Sequence, residues 1–155
     1  MGREIERKFL LRSDAWRDEV RDSVHLIQGY LMRNEHSAIR LRIKGTRAEL
    51  NIKQTLDGID RLEYEYEIPL VDAREILEHV ALRPLIEKTR HHVVRGGHLW
   101  EVDEFDGENR GLIMAEIELA DADEAFDKPP WIGEEVSLDP RYYNSNLIVS
   151  PYQTW

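Results

Sequence analysis

The sequence predicts a mainly β domain of the α+β class: one antiparallel sheet of about eight strands with a few peripheral helices. Three observations predict it. Apolar and polar residues alternate with a period of two over 2–12, 24–33, 38–44, 47–55, 61–69, 86–95, 98–105 and 112–119, the period at which successive side chains point to opposite faces of a strand. Several neighbouring segments are joined by turns as short as Lys44-Gly45-Thr46, Leu56-Asp57-Gly58-Ile59 and Gly96-Gly97, which make antiparallel hairpins more readily than crossovers. Almost every segment also carries two or three ionisable groups on one parity and aliphatic or aromatic groups on the other.

Taken in order, Glu4, Glu6 and Lys8 share one face of the first segment and oppose Ile5 and Phe9. Ser13, followed by Asp14 to Val20, offers a cap and one or two helical turns. Arg40, Arg42 and Lys44 lie opposite Leu41 and Ile43, and Asn51, Lys53 and Thr55 lie opposite Leu50 and Ile52. Glu63, Glu65 and Glu67 alternate with Leu62, Tyr64, Tyr66 and Ile68. Asp72 and the run Ala73 to His79, with Ile76 and Val80 four apart, predict a second helix. Lys88, Arg90 and His92 form a row, Glu101, Asp103 and Phe105 oppose Trp100 and Val102, and Glu116 with Glu118 opposes Ala115, Ile117 and Leu119. The acidic stretch Asp121 to Asp127 reads as a solvated helix or loop, and Asp139-Pro140 as an N-cap opening a C-terminal helical segment through Leu147.

The 155 residues make one domain, 1–155, with no linker and no repeat. No apolar run approaches the roughly 18 residues that cross a bilayer, and the charged start leaves no signal-peptide core, so the expected setting is the cytoplasm with no membrane partner. The absence of cysteine removes disulfides, thiolate zinc sites and a cysteine nucleophile. A net charge of -10 argues against long nucleic acid, although a local cationic site can still hold a small polyanion.

Like charges two apart on a strand sit roughly 7 Å from one another and repel, so the ionic rows need an explanation. A sheet of this size often closes on itself. Rows pointing outward give a small barrel with an apolar core, with Leu41 and Ile43 in its middle. Rows pointing inward give a wet tunnel whose charges require water, metal ions and a polyanion. Converging Arg and Lys suit phosphate oxygens, and carboxylates in the same space call for a hard cation such as Mg2+ or Mn2+ between them and the phosphate. His91-His92 is no chelating pair, because strand neighbours face opposite ways. Trp16, Trp100, Trp131 and Trp155 could stack a ring, but Trp100 lies on the parity opposite Asp103, which suits packing beneath a helix.

The motif Glu4-Ile5-Glu6-Arg7-Lys8 resembles the N-terminal ExExK strand of the CYTH superfamily, the triphosphate tunnel metalloenzymes. The resemblance runs along nearly the whole chain in the family's order: Gln28-Gly29-Tyr30-Leu31, Arg40-Leu41-Arg42, Lys53, Arg61 with Glu63 and Glu65, Lys88 with Arg90, Asp103 with Phe105, Glu116-Ile117-Glu118, and the closing Asp139-Pro140-Arg141-Tyr142-Tyr143-Asn144-Ser145-Asn146-Leu147. It implies an eight-stranded antiparallel barrel forming a tunnel. By that likeness Lys8, Arg40, Arg42, Lys53, Arg61, Lys88 and Arg90 bind substrate, and Glu4, Glu6, Asp103, Glu116 and Glu118 hold Mg2+ or Mn2+. Lys8, Tyr30, Glu63 and Glu65 are the implied catalytic set, Lys8 staying protonated and the two glutamates serving as further ligands or water holders. The implied activity is hydrolysis of inorganic tripolyphosphate by a bacterial-type triphosphatase. Class IV adenylate cyclase, thiamine or nucleoside triphosphatase, and a polyphosphate- or nucleotide-binding protein without turnover are the alternatives, and a homodimer is an expected assembly.

Overall fold

The structure, a computed structural model, describes residues 2–155. Nine strands form one antiparallel sheet: β1 Arg3–Leu11, β2 Asp22–Arg33, β3 Ser37–Lys44, β4 Arg47–Thr55, β5 Asp60–Ile68, β6 Ile86–Arg95, β7 His98–Phe105, β8 Ile113–Leu119 and β9 Ile132–Glu135. The order is β5-β4-β3-β2-β6-β7-β8-β1-β9, and a further β5–β1 pairing closes the first eight into a barrel. Closure rests on three aligned pairs, Arg3 with Leu62, Glu4 with Arg61 and Ile5 with Asp60. The short β9, absent from the sequence prediction, pairs with the end of β1 beyond a register shift between Phe9 and Leu11.

Local chemistry explains the hairpins. Arg95 pairs with His98 across Gly96-Gly97, whose φ values of 60° and 79° are both positive, the left-handed pair that matches the twist of the flanking strands. Helix α1, Leu70–His79, starts before the expected Asp72 cap because Pro69 stands at its N-cap, where a missing N–H costs nothing. The helix expected after Ser13 is a 3-10 turn, Ala15–Glu19. The C-terminal segment divides at Tyr143 into a 3-10 turn, Pro140–Tyr142, capped by Asp139, and helix α2, Asn144–Leu147. Asp121 to Asp127 is loop and contains no helix.

Three apolar clusters support the barrel. Outside β1, β7 and β8, Phe9, Trp100 and Trp131 pack with Phe126 in edge-on aromatic contacts. Trp100 is therefore covered by the loop leading to β9 and by Trp131, where a helix was expected. On the opposite wall α1 lays Ala73 and Leu77 over Leu41 and Ala48. The third cluster, Tyr30, Ile86, Phe105, Met114, Tyr142, Leu147 and Ile148, joins strand ends to the C-terminal segment and stoppers one end of the barrel.

Candidate functional site

Inside the barrel lies a cavity of about 580 Å³, lined by cationic and acidic side chains in equal number. Parity puts them there: Arg40 and Arg42 are buried and line it, while Leu41 between them is buried on the outer face under α1. The apolar-core alternative, with Leu41 and Ile43 in the middle, is thereby overturned.

Strand β6 alone supplies two buried cations, Lys88 and Arg90. Lys88 Nζ donates to Asp103 Oδ2 at 2.7 Å and to Asn144 Oδ1 at 3.0 Å. Arg90 is gripped by Asp103 through Nε and Nη2 and donates from Nη1 to Glu101 at 3.1 Å. Burial pushes the Lys88 ammonium down to about 8, against the attraction of Asp103. Burial alone would raise the Asp103 carboxyl, but Arg90 and Lys88 together outweigh it and hold Asp103 well below the usual carboxylate range.

On the facing wall Arg42 is tied to Glu49 and lies 3.5 Å from Glu65, and Arg40 lies 4.0 Å from Glu63. Lys53 Nζ sits 3.3 Å from Glu4 and 3.6 Å from Glu63. Burial, and then the neighbouring Arg40, lower the pKa of both Arg42 and Lys53. Arg61 stacks over the Tyr143 ring at 5.1 Å with its buried Nε unpartnered, as is the Nε of Arg33. Buried donors without partners are costly unless something occupies the space they face.

The acidic wall is β1 with β8, where Glu6 stands in register with Glu118 and Lys8 with Glu116. Lys8 Nζ is 3.6 Å from Glu116 and 3.9 Å from Glu6. Glu118 has no ionic partner among the described residues, and its pKa is raised by burial and by the charges of Glu4, Glu6 and Glu101. Among the described residues no three His, Asp or Glu side chains enclose an ion by themselves. The donor set nevertheless fits a magnesium-like cation, which takes one or two carboxylates and completes its shell with water and substrate phosphate.

Every residue given a binding, metal or catalytic role from the sequence lines this cavity except Asp103. Expected among the metal ligands, Asp103 is fully buried beneath Lys88 and Arg90, with both oxygens committed to them. Glu63 and Glu65, expected as ligands or water holders, stand beside Arg40, Lys53 and Arg42 as their counter-charges. Sequence reasoning missed Arg33 and Glu49, and it named Glu101 and the stretch Tyr143 to Asn146 without giving them a role in the site. Parity could have found Glu49, which shares a face with Lys53; nothing local marks Arg33.

The arrangement can grip a short polyanion along its length while a hard cation screens it from the glutamates. A model of the CYTH domain matches residues 2–145. The chain is 48% identical over 155 residues to an inorganic triphosphatase of Acetivibrio thermocellus, covering 100% of this chain and 99% of that one. It is 39% identical over 151 residues to an inorganic triphosphatase of Nitrosomonas europaea, covering 95% and 97%. Among solved structures, the inorganic triphosphatase NE1496 superposes with a TM-score of 0.67 at 35% identity, covering 96% of each chain. A putative adenylate cyclase of Bacillus halodurans shares the fold, with a TM-score of 0.63 at 16% identity over 78% of this chain and 83% of that one.

Proposed function

Because this chain belongs to the CYTH domain family, we propose that it is an inorganic triphosphatase, hydrolysing tripolyphosphate to pyrophosphate and phosphate with the help of a divalent metal ion. The observation that carries the reading is the enclosed cavity in which Arg40, Arg42, Lys53, Lys88 and Arg90 face the glutamates of β1 and β8. The likeness over full length to two proteins named inorganic triphosphatase supports it.

In this mechanism Arg40, Arg42, Lys53, Arg61, Lys88 and Arg90 bind the phosphate oxygens, the guanidinium groups by paired hydrogen bonds and the lysines as compact charges. A divalent cation, Mg2+ or Mn2+, held by Glu4, Glu6, Glu116 and Glu118, supplies charge neutralisation and a more acidic water. Asp103 keeps Lys88 and Arg90 charged and aimed. Glu63 and Glu65 steady the cations of the facing wall. Lys8, between Glu6 and Glu116, stays protonated and supports substrate or water, and Tyr30 also lines the cavity. Water attacks the terminal phosphorus in line; its oxygen bonds to phosphorus as the bridging bond breaks, and the bridging oxygen leaves with pyrophosphate. Positioning and charge neutralisation are most of what this reaction needs. A cytoplasmic location and pairing of two copies belong to the same proposal.

A substrate panel of tripolyphosphate, ATP and thiamine triphosphate, scored for products with Mg2+ and Mn2+ in parallel, tests it. The expected result is tripolyphosphate as the best substrate. Cyclic AMP from ATP would make the protein a cyclase, and binding without turnover of any of them would make it a polyphosphate-binding protein.

A further inference from the structure

One polar chain runs from the cavity to solvent, and its outer members Asp22, His92 and Glu101 take no part in the mechanism above. Asp22, His92, Glu101, Glu116 and Lys8 stand in register on five consecutive strands, β2, β6, β7, β8 and β1. His92 sits between two carboxylates. Its Nδ1 is hydrogen-bonded to Asp22 Oδ1 at 2.5 Å, and its Nε2 lies 3.6 Å from Glu101 Oε2, an ion-pair distance that is attractive when the ring is an imidazolium. That same Glu101 oxygen accepts from Arg90 Nη1 at 3.1 Å. The chain thus runs from an exposed carboxylate, Asp22, through a mostly buried ring to a guanidinium whose remaining nitrogens are held by Asp103.

Glu101 stands directly opposite Glu116, and like charges facing each other across strands repel. Arg90 offsets part of that repulsion by reaching both, Glu101 from Nη1 at 3.1 Å and Glu116 from Nη2 at 3.5 Å, and His92 adds a second hold on Glu101 from the side away from Glu116. We propose that His92, anchored by Asp22, is a positioning residue that fixes Glu101 and through it the orientation of the Arg90 guanidinium toward the substrate. The inference rests on the phosphate-binding role proposed for Arg90.

The test compares phosphate release from tripolyphosphate, and its affinity by calorimetry, for the wild type, His92→Phe, His92→Gln, Asp22→Ala, Glu101→Gln and the double variant His92→Phe with Glu101→Gln. Losing this ion-pair brace should raise KM and Kd in His92→Phe by roughly two- to fivefold with kcat little changed. His92→Gln, which keeps a donor, should recover most of the loss, and Asp22→Ala should shift KM in the same direction from an exposed position. In the Glu101→Gln background His92→Phe should add nothing, because the effect travels through Glu101. Unchanged KM and Kd in both His92→Phe and Asp22→Ala, or an undiminished effect of His92→Phe without Glu101, would overturn the inference. A wild type that turns over no triphosphate sinks the proposed function instead, and the calorimetric affinities then still decide the role of His92.

Discussion

Arg90 and Asp103 stand opposite each other on neighbouring strands, joined by Nε to Oδ1 at 2.8 Å and Nη2 to Oδ2 at 2.9 Å. Asp103 also accepts from Lys88, so one buried carboxylate neutralises two buried cations. Asp103→Ala leaves both without it, and breaking a buried ion pair costs about 3–5 kcal/mol. Urea unfolding should show a loss of that order. The Mg2+ concentration giving half-maximal rate should not move in Asp103→Asn, because Asp103 holds arginine and lysine; a large rise in that requirement would return it to the metal ligands.

Lys88 sets a pH limit. Its pKa in the folded protein is pushed by burial down to about 8 from the ordinary 10.5, so it is a cation below that pH and loses its charge above it. If it grips phosphate, kcat/KM for tripolyphosphate falls as pH rises through about 8, since that ratio reports the free enzyme. Bound polyanion favours the charged form, so kcat should fall only at higher pH. Between 8 and 10.5 the unfolded chain keeps a proton the folded one releases, so this group's contribution to stability rises with pH in that window. A kcat/KM profile still flat at pH 9.5 would exclude Lys88 from the grip.

Glu116 and Glu118 belong to the acidic wall, and neither is part of an apolar cluster. Glu116→Ala and Glu118→Ala should each cut turnover by on the order of 10²-fold or more while the circular dichroism spectrum is unchanged. Near-normal rates in either variant would remove that residue from the metal-binding set.

Gly29, on the outer face of β2, is covered by Leu77 of α1 and by Ala81 just beyond it. A Cβ there would lie 2.8 Å from the Ala81 Cβ and 2.6 Å from a Leu77 methyl, and the short Ala81 side chain has no rotamer with which to retreat. Gly29→Ala should lower stability by about 1–3 kcal/mol, as overpacking does, with KM unaltered because the outer face is strained and the inner face is not.

Most of this was legible because a strand has a period of two. Once Arg40, Leu41, Arg42 and Ile43 are read as alternating, one choice of orientation fixes where every ionic row points, and hairpins as short as Gly96-Gly97 dictate which strands are neighbours. What was illegible depends on register and closure. The Gly96-Gly97 turn already sets Arg90 opposite Asp103 and His92 opposite Glu101; hidden was the closure that buries Asp103 beneath Lys88 and Arg90. The longer connection from β7 to β8 leaves their register open, so the sequence does not say that Glu101 stands opposite Glu116. The stopper at the barrel's end was hidden because Tyr142 and Leu147 lie more than a hundred residues from Tyr30 in the chain. The strand β9, only Ile132–Glu135, is too short to display an alternation.

The most direct measurement of the central claim is phosphate release from tripolyphosphate with Mg2+ or Mn2+, repeated after chelation and again after the metal is restored. The account predicts one phosphate and one pyrophosphate per substrate, loss of the reaction on chelation and its return with the ion. Hydrolysis undiminished by chelation, or none with either ion, would contradict it.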